Sequence, residues 1–301
     1  QGTSMSTARE IIGKALRSIS VVASGDSATM AEYTDCLYAL NSIIDGLYAD
    51  PSYYYTEHDE QFVLSSKAAY CIGSESVPLE SLTCAGTTAT AKTAIPHGLV
   101  SGNKISVSGA TESVYNATAT ITVTGQYTFT YQIVSGATPA TGSPVITSGD
   151  FNTSRPVRCV GAYVESAGST TPVSIVTEAY WTNVVDKAAS GDTPQQLLYR
   201  PNFPFGQVLI SPTPTGSAIL HLRLEKTIGR FKTLDQQRQL PPGYQRMLEI
   251  MLAVDVAPEF GARVSEPVVA MLRETLSSMD EQNRRGIINS IGGVSGNGNS
   301  A

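Results

Sequence analysis

The chain has 301 residues, of which 41% are hydrophobic and 15% charged, with a formal net charge of −6. This supplies a core and excludes a disordered chain, and the lack of a basic excess excludes a protein that grips nucleic acid through many phosphates. A subunit lining a path for sliding duplex needs no such excess, because phosphate contacts would hold the DNA in place. The length fits one large domain or two of ordinary size. No run of 18 apolar residues marks a membrane span, and the start Gln1-Gly-Thr-Ser-Met5 lacks the basic and apolar segments of a signal peptide. Met5 is expected as the natural start, with residues 1–4 a remnant. Cys36, Cys71, Cys84 and Cys159 are scattered without a CxxC, so the expectation is buried, reduced thiols with no zinc or redox site.

Residues 7–48 predict two helices. Thr7-Ala-Arg-Glu10 and Thr29-Met-Ala-Glu32 are capping boxes, in which the threonine caps the helix start and the glutamate reaches back. Ile11, Ile12, Ala15, Leu16 and Ile19 share one helical face; Met30, Tyr33, Leu37, Leu40, Ile44 and Leu47 form the second stripe. Phe62-Val-Leu64 and Ala69-Tyr-Cys-Ile72 are short apolar runs that predict a hairpin. Residues 77–147 then become rich in Thr, Ser, Gly, Ala and Val. Alternation in Lys104–Ser108, Thr118–Thr124 and Thr128–Val134, punctuated by glycines, predicts a barrel or sandwich of about five to seven strands.

Further strands are expected at Pro156–Tyr163, Pro172–Val176, Gln207–Ser211 and Ala218–Leu224, with a short helix over Thr177–Val185. The closing segment from Pro241 to Arg285 predicts a helical hairpin. Tyr244, Met247, Leu248, Met251, Leu252 and Val254 mark its first helix. Ser265 and Pro267 open its second, whose apolar face is Val268, Val269, Leu272 and Leu276. Residues 292–301 are a glycine-rich tail.

In this order the segments resemble the head-to-tail adaptor family of short-tailed phages, also called packaged-DNA stabilisation or head-completion proteins. The resemblance is carried by Ala39–Leu47, Phe62-Val-Leu with Tyr70-Cys-Ile-Gly73, and Gly149-Asp-Phe-Asn-Thr-Ser-Arg-Pro156. It continues through Glu178-Ala-Tyr180, Pro201-Asn-Phe-Pro204, Pro212-Thr-Pro214, Leu240-Pro-Pro-Gly-Tyr244 and Ala257-Pro-Glu-Phe-Gly261. In the family pattern Tyr-x-Ile-Gly runs almost directly into Gly-Asp-Phe, whereas here about 75 residues intervene, so a β module is expected as an insertion at a hairpin tip. Ile95-Pro-His-Gly-Leu99, Gly102, Val107-Ser-Gly109, Tyr115-Asn116 and Thr128-Phe-Thr-Tyr131 make that insert similar to a small β module of phage structural proteins.

The resemblance implies an α+β fold. A discontinuous adaptor body (1–73 and 149–291) combines helices from both chain ends with a β-rich middle, an all-β insert spans 74–148, and 292–301 form the tail. It implies a twelve-subunit structural ring, not an enzyme, at the head–tail junction of the virion, assembled in the host cytoplasm. The implied partners are the portal protein, tail nozzle, hub or fibre proteins, other copies of itself, and passing duplex DNA without sequence recognition; no membrane is involved.

Candidate chemistry is sparse. His58, His97 and His221 have no metal-like spacing, and His97 in Pro-His-Gly is expected in a turn. His221 is expected to face outward or to find a backbone partner. Glu57, Asp59 and Glu60 could do acid–base work but read as exposed loop acids. Tyr53-Tyr54-Tyr55 reads as core or interface packing. No catalytic, metal-binding or cofactor-binding residue is expected. Arg284 and Arg285 complement a helix end or touch DNA or an acidic portal surface. Ile287, Ile288 and Ile291, just beyond the helix, are expected with these arginines to contact the portal. The competing expectation is a carbohydrate-binding or cell-wall-lytic virion protein that uses the β module, which would need an aromatic platform; Phe129 and Tyr131, on one strand face, are expected in the core instead.

Overall fold

The computed structural model describes the backbone at residues 4–23, 25–48, 56–134, 138–166, 168–183, 186, 189–226, 228–240 and 243–291, and the side chains there except at 4, 48, 56 and 279–291. The fold mixes helices and strands. In chain order the first elements are β1 (Ser4–Thr7), α1 (Ala8–Ser18), α2 (Met30–Tyr48), β2 (Thr56–Val63) and β3 (Ala69–Ile72). Then come β4 (Val77–Ala85), β5 (Thr88–Thr93), β6 (Lys104–Ala110), β7 (Thr118–Thr120), β8 (Thr122–Val123), β9 (Thr128–Gln132) and β10 (Gly142–Ser148). Next are β11 (Arg158–Ser166), β12 (Ser169–Pro172), β13 (Ser174–Ile175), α3 (Glu178–Thr182), β14 (Ser190–Gly191), β15 (Gln196–Arg200), β16 (Gly206–Ser211), β17 (Thr213–Pro214) and β18 (Ile219–Lys226). β19 (Gln237–Leu240), α4 (Tyr244–Val256) and α5 (Glu266–Ile291) close the chain. Contacts divide it into two compact units, Gln1–Thr56 with Thr227–Ala301, and Glu57–Lys226. The division places the β-rich middle with the β module, where the sequence reading joined it to the helices.

The first unit is helical. At α1 the Thr7 hydroxyl accepts from the Glu10 N–H at 3.2 Å and the Glu10 carboxylate accepts from the Thr7 N–H at 3.1 Å, which satisfies two N–H groups that a helix start leaves free. Thr29 and Glu32 repeat the arrangement at α2, at 3.3 and 2.7 Å. Ile11, Ile12, Ala15 and Leu16 of α1, Tyr33, Leu40 and Ile44 of α2, and Met247, Leu248 and Leu252 of α4 share one core. Each such buried aliphatic side chain contributes about 1.5–3 kcal/mol. Met30, assigned by spacing to the buried stripe, is instead 62% exposed at the first residue of α2. The apolar residues at Val268, Val269, Leu272 and Leu276 of α5 are only half-buried. β1 pairs antiparallel with β19, Ser4 opposite Leu240.

The second unit is β-rich. One four-stranded sheet has the order β12-β11-β18-β2 and another β13-β15-β16-β3. The expected hairpin of Phe62–Leu64 with Ala69–Ile72 does not form: β2 and β3 belong to different sheets. Between them the chain turns a corner, where the Leu64 N–H donates to the Ala218 carbonyl at 2.8 Å and the Ser65 N–H to the Tyr70 hydroxyl at 3.0 Å. Tyr70, Ile72, Phe151, Leu197, Val208, Ile210, Leu220 and Leu222 fill the core to which both sheets contribute.

β4–β10 form a seven-stranded, nearly closed barrel-like sheet in the order β7-β6-β10-β4-β5-β9-β8. Its two outer strands belong to one stretch of chain. Ile121, buried between them, is the point where Thr118–Val123 changes partner, from β6 to β9. The barrel core holds Val77, Leu82, Ile105, Val107, Phe129, Tyr131 and Ile146, joined by Cys71 and Phe205 from the neighbouring sheet. The module does not leave from a hairpin tip. Its two ends meet side by side, with Ile72 and Phe151 in a parallel bridge.

Gly149 lets this exit happen. Its N–H donates to the Lys104 carbonyl at 2.9 Å, and a Cβ there would lie 3.0–3.1 Å from the backbone of Lys104 and Ile105. Backbone paired into a barrel cannot yield as a side-chain tip can. Gly149→Ala is therefore expected to destabilise the β unit by about 1–3 kcal/mol, measured as a lower urea midpoint with the slope unchanged; an unaltered midpoint would show that the close approach is not limiting.

Candidate functional site

Two of the three acids suggested for acid–base work, Asp59 and Glu60, are paired with cations on the adjoining strand. Asp59 pairs with Arg223 at 3.1 Å; Glu60 takes the Lys226 ammonium and accepts from the Thr153 hydroxyl at 3.1 Å. The Asp59 bond raises the Arg223 pKa further. They lie on β2 rather than on a loop. Tyr53, Tyr54 and Tyr55 lie outside the described residues. Among the described residues no group of three His, Cys, Asp or Glu side chains could hold a metal ion. Burial pushes the Cys36 thiol up to about 11 and those of Cys71 and Cys159 to about 12, so these thiols stay protonated and poor nucleophiles.

The histidines are placed differently from the expectation. Gly98 has a φ of +66°, but the expected turn does not form over 96–98, and the His97 ring is fully buried against Phe129. One ring nitrogen, Nδ1, accepts from the Leu99 N–H at 3.0 Å, and the other lies 3.0 Å from the Gly125 carbonyl, which assigns the proton to Nε2. His221 stacks on Tyr163 with ring centroids 4.2 Å apart. Its Nε2 lies 3.4 Å from Glu165 without hydrogen-bond geometry, so it has a side-chain neighbour rather than a backbone partner.

No protein-family model and no curated protein matches the chain.

Segments far apart in sequence converge on one surface. The Arg200 Nε donates to Glu178 at 2.9 Å, which holds that carboxyl below its ordinary range. The Arg155 guanidinium lies 5.9 Å from the Phe203 ring centroid and donates to the Pro201 carbonyl at 3.3 Å. Tyr180 accepts from Gln196 at 2.9 Å. Phe203 and Tyr180 are 68% and 51% exposed, so rigidly held Phe, Tyr and Arg groups, the types enriched at binding hot spots, face outward. The sequence reading missed this patch as a site; an exposed aromatic between prolines at Pro201-Asn-Phe-Pro204 was the available signal. It missed Tyr38 too, an aromatic off the apolar stripe of α2. That residue lines an open groove of about 460 Å³ with Asp35, Ala39, Ser42, Asp255 and Glu259.

Arg284, Arg285, Ile287, Ile288 and Ile291 all fall on α5, which continues to Ile291. The isoleucines are thus part of the helix and not a segment beyond it, while their side chains lie outside the described ones. Phe129 and Tyr131 are buried in the barrel core, as their alternation predicted.

The deepest polar cluster sits at the root of the barrel. Asp150, its side chain 2% exposed, receives the Lys67 ammonium at Oδ1. At Oδ2 it accepts from the Cys71 N–H at 3.1 Å and from the Asn103 Nδ2 at 3.3 Å. Asn103 is fully buried, and its Oδ1 accepts from the Val100 N–H at 2.9 Å. Lys67 also donates to the Gly102 carbonyl at 3.0 Å.

Burial moves the His97 pKa below its ordinary value. The unfolded ring titrates near 6.5, so the stability tied to its neutral form is complete above that pH and is lost as pH falls toward the folded value. Between pH 7 and 5 the unfolding free energy should fall by up to about 1.4 kcal/mol per pH unit from this group. His97→Gln should flatten the slope in urea titrations at the two pH values, and equal slopes in both chains would count against the assignment.

Proposed function

We propose that the protein is a structural ring subunit of a phage virion, a head-to-tail adaptor that binds the portal, extends the DNA channel, helps retain packaged DNA and docks tail components. The main support is the grouping of the two chain ends. Residues before 57 and after 226 make one helical unit with a shared core, and everything between them makes another. In this reading the helices are the discontinuous body that forms the ring, and the β-rich unit with its barrel is the docking module for nozzle, hub or fibre proteins. Further support comes from the converging patch, since Arg155, Glu178, Tyr180 and Phe203 all belong to segments that carry the family resemblance.

The mechanism is geometric. Identical subunits making heterologous contacts close into a ring, here of twelve, when the rotation per subunit fits. The net charge of −6 suits a channel in which duplex slides without being held. Among the described residues no helix is long and apolar enough to cross a membrane.

α5 is proposed to carry Arg284, Arg285, Ile287, Ile288 and Ile291 to the portal. Mixing the full chain with a portal ring should give a complex whose mass exceeds that of the portal by a ring of subunits. Deleting 287–301 should abolish the complex and leave the far-ultraviolet circular dichroism unchanged. Portal binding by the truncated chain would remove the assigned contact, and a folded full chain that binds no portal ring would remove the function.

A further inference from the structure

Lys67, Asn103 and Asp150 form an arrangement whose chemistry goes beyond holding the barrel in place. A primary amine and a carboxamide are bound to the two oxygens of one buried carboxylate. The carboxamide is polarised from the other side, because its oxygen accepts the Val100 N–H. Amide exchange between an amine and a carboxamide needs these parts: a nucleophile, an electrophilic carbonyl with a donor on its oxygen, and a group that moves protons. Asn103 and Asp150 are buried and the Lys67 side chain is 19% exposed, which limits the water that would compete, and fixing both groups on one carboxylate replaces a bimolecular encounter.

We propose that Lys67 and Asn103 are joined by an intramolecular isopeptide bond, formed by the chain itself with Asp150 as the proton carrier. Asp150 takes one proton from the Lys67 ammonium, and the free amine attacks Cγ of Asn103. The negative charge that develops on Oδ1 is stabilised by the Val100 N–H. Asp150 returns its proton to Nδ2, the Cγ–Nδ2 bond breaks, and ammonia leaves. The attacking nitrogen loses its surplus proton, which departs with the ammonia as ammonium. An ammonium and a primary amide become a secondary amide and an ammonium ion, with no oxidant or cofactor required.

Among the described residues Asp150 is the carboxylate in contact with both Lys67 and Asn103. It therefore serves as the acid–base group, and Asn103 as the electrophile. The bond would tie the segment before β3 to the start of β6, across the junction where the barrel leaves its neighbouring sheet. None of this depends on the ring assignment.

The test is the intact mass of the purified, denatured full chain. The expected wild-type mass is lower than the sequence mass by one ammonia, and digestion should yield a branched peptide joining Lys67 to Asn103. Lys67→Arg keeps the charge but cannot form the amide, so it should show the full sequence mass, as should Asp150→Asn. A wild-type chain of full sequence mass overturns the proposal. Loss of one water, with a branch between Lys67 and Asp150, overturns the role given to Asn103. An unaltered ammonia loss in Lys67→Arg would assign the loss to another residue and overturn the proposal as well.

Discussion

The β unit is organised around one buried carboxylate. A buried Asp150 carboxylate is tolerable only if charge and hydrogen bonds surround it, and its partners come from two stretches of chain, 67–71 and Asn103. Lys67 lies before β3, Cys71 on β3, Asn103 at the start of β6, and Asp150 follows β10. Satisfying Asp150 therefore fixes where the barrel begins, where it ends and how its root meets the adjoining sheet. Cys71 and Phe205 complete the barrel core from outside the module, so the apolar packing crosses the same junction. The barrel is continuous with its surroundings in both polar and apolar contacts.

The helical unit rests on a different balance. Its central helix, α4, buries residues on most of its circumference, whereas α5 has no fully buried residue among its described side chains. Most helix stability in proteins comes from packing, so α5 depends more on its own propensity than α1 or α4 does. Such a helix is held to the unit along one side only, which suits a role in contact with something else.

Local features of the fold were legible where neighbours in sequence decide the outcome. Both capping boxes and the alternation that puts Phe129 and Tyr131 in a core depend on residues three or fewer apart. What was not legible depends on distant partners. Nothing within Phe62–Leu64 or Ala69–Ile72 says which sheet each run joins, and β15 has a mixed sequence whose meaning comes from β16 beside it. The buried cluster was invisible because Lys67, Asn103 and Asp150 are ordinary surface residue types until folding places them together. The last helix was expected to end at Arg285 but runs through Gly286 to Ile291, since one interior glycine costs only about 1 kcal/mol. The exposed patch at Phe203 and Tyr180 needed α3, β15 and the loop after it to be assembled before it could be seen.

The change of partner at Ile121 has a bearing on crowding. A strand edge with free N–H and C=O groups is a template on which another copy can add, and the hazard grows when copies are concentrated. With Thr118–Thr120 on β6 and Thr122–Val123 on β9, one short stretch of chain supplies both margins of the seven-stranded sheet. Ile121, buried at the bend, thus joins the two margins, and neither runs on as a long free edge: β7 has three residues and β8 two.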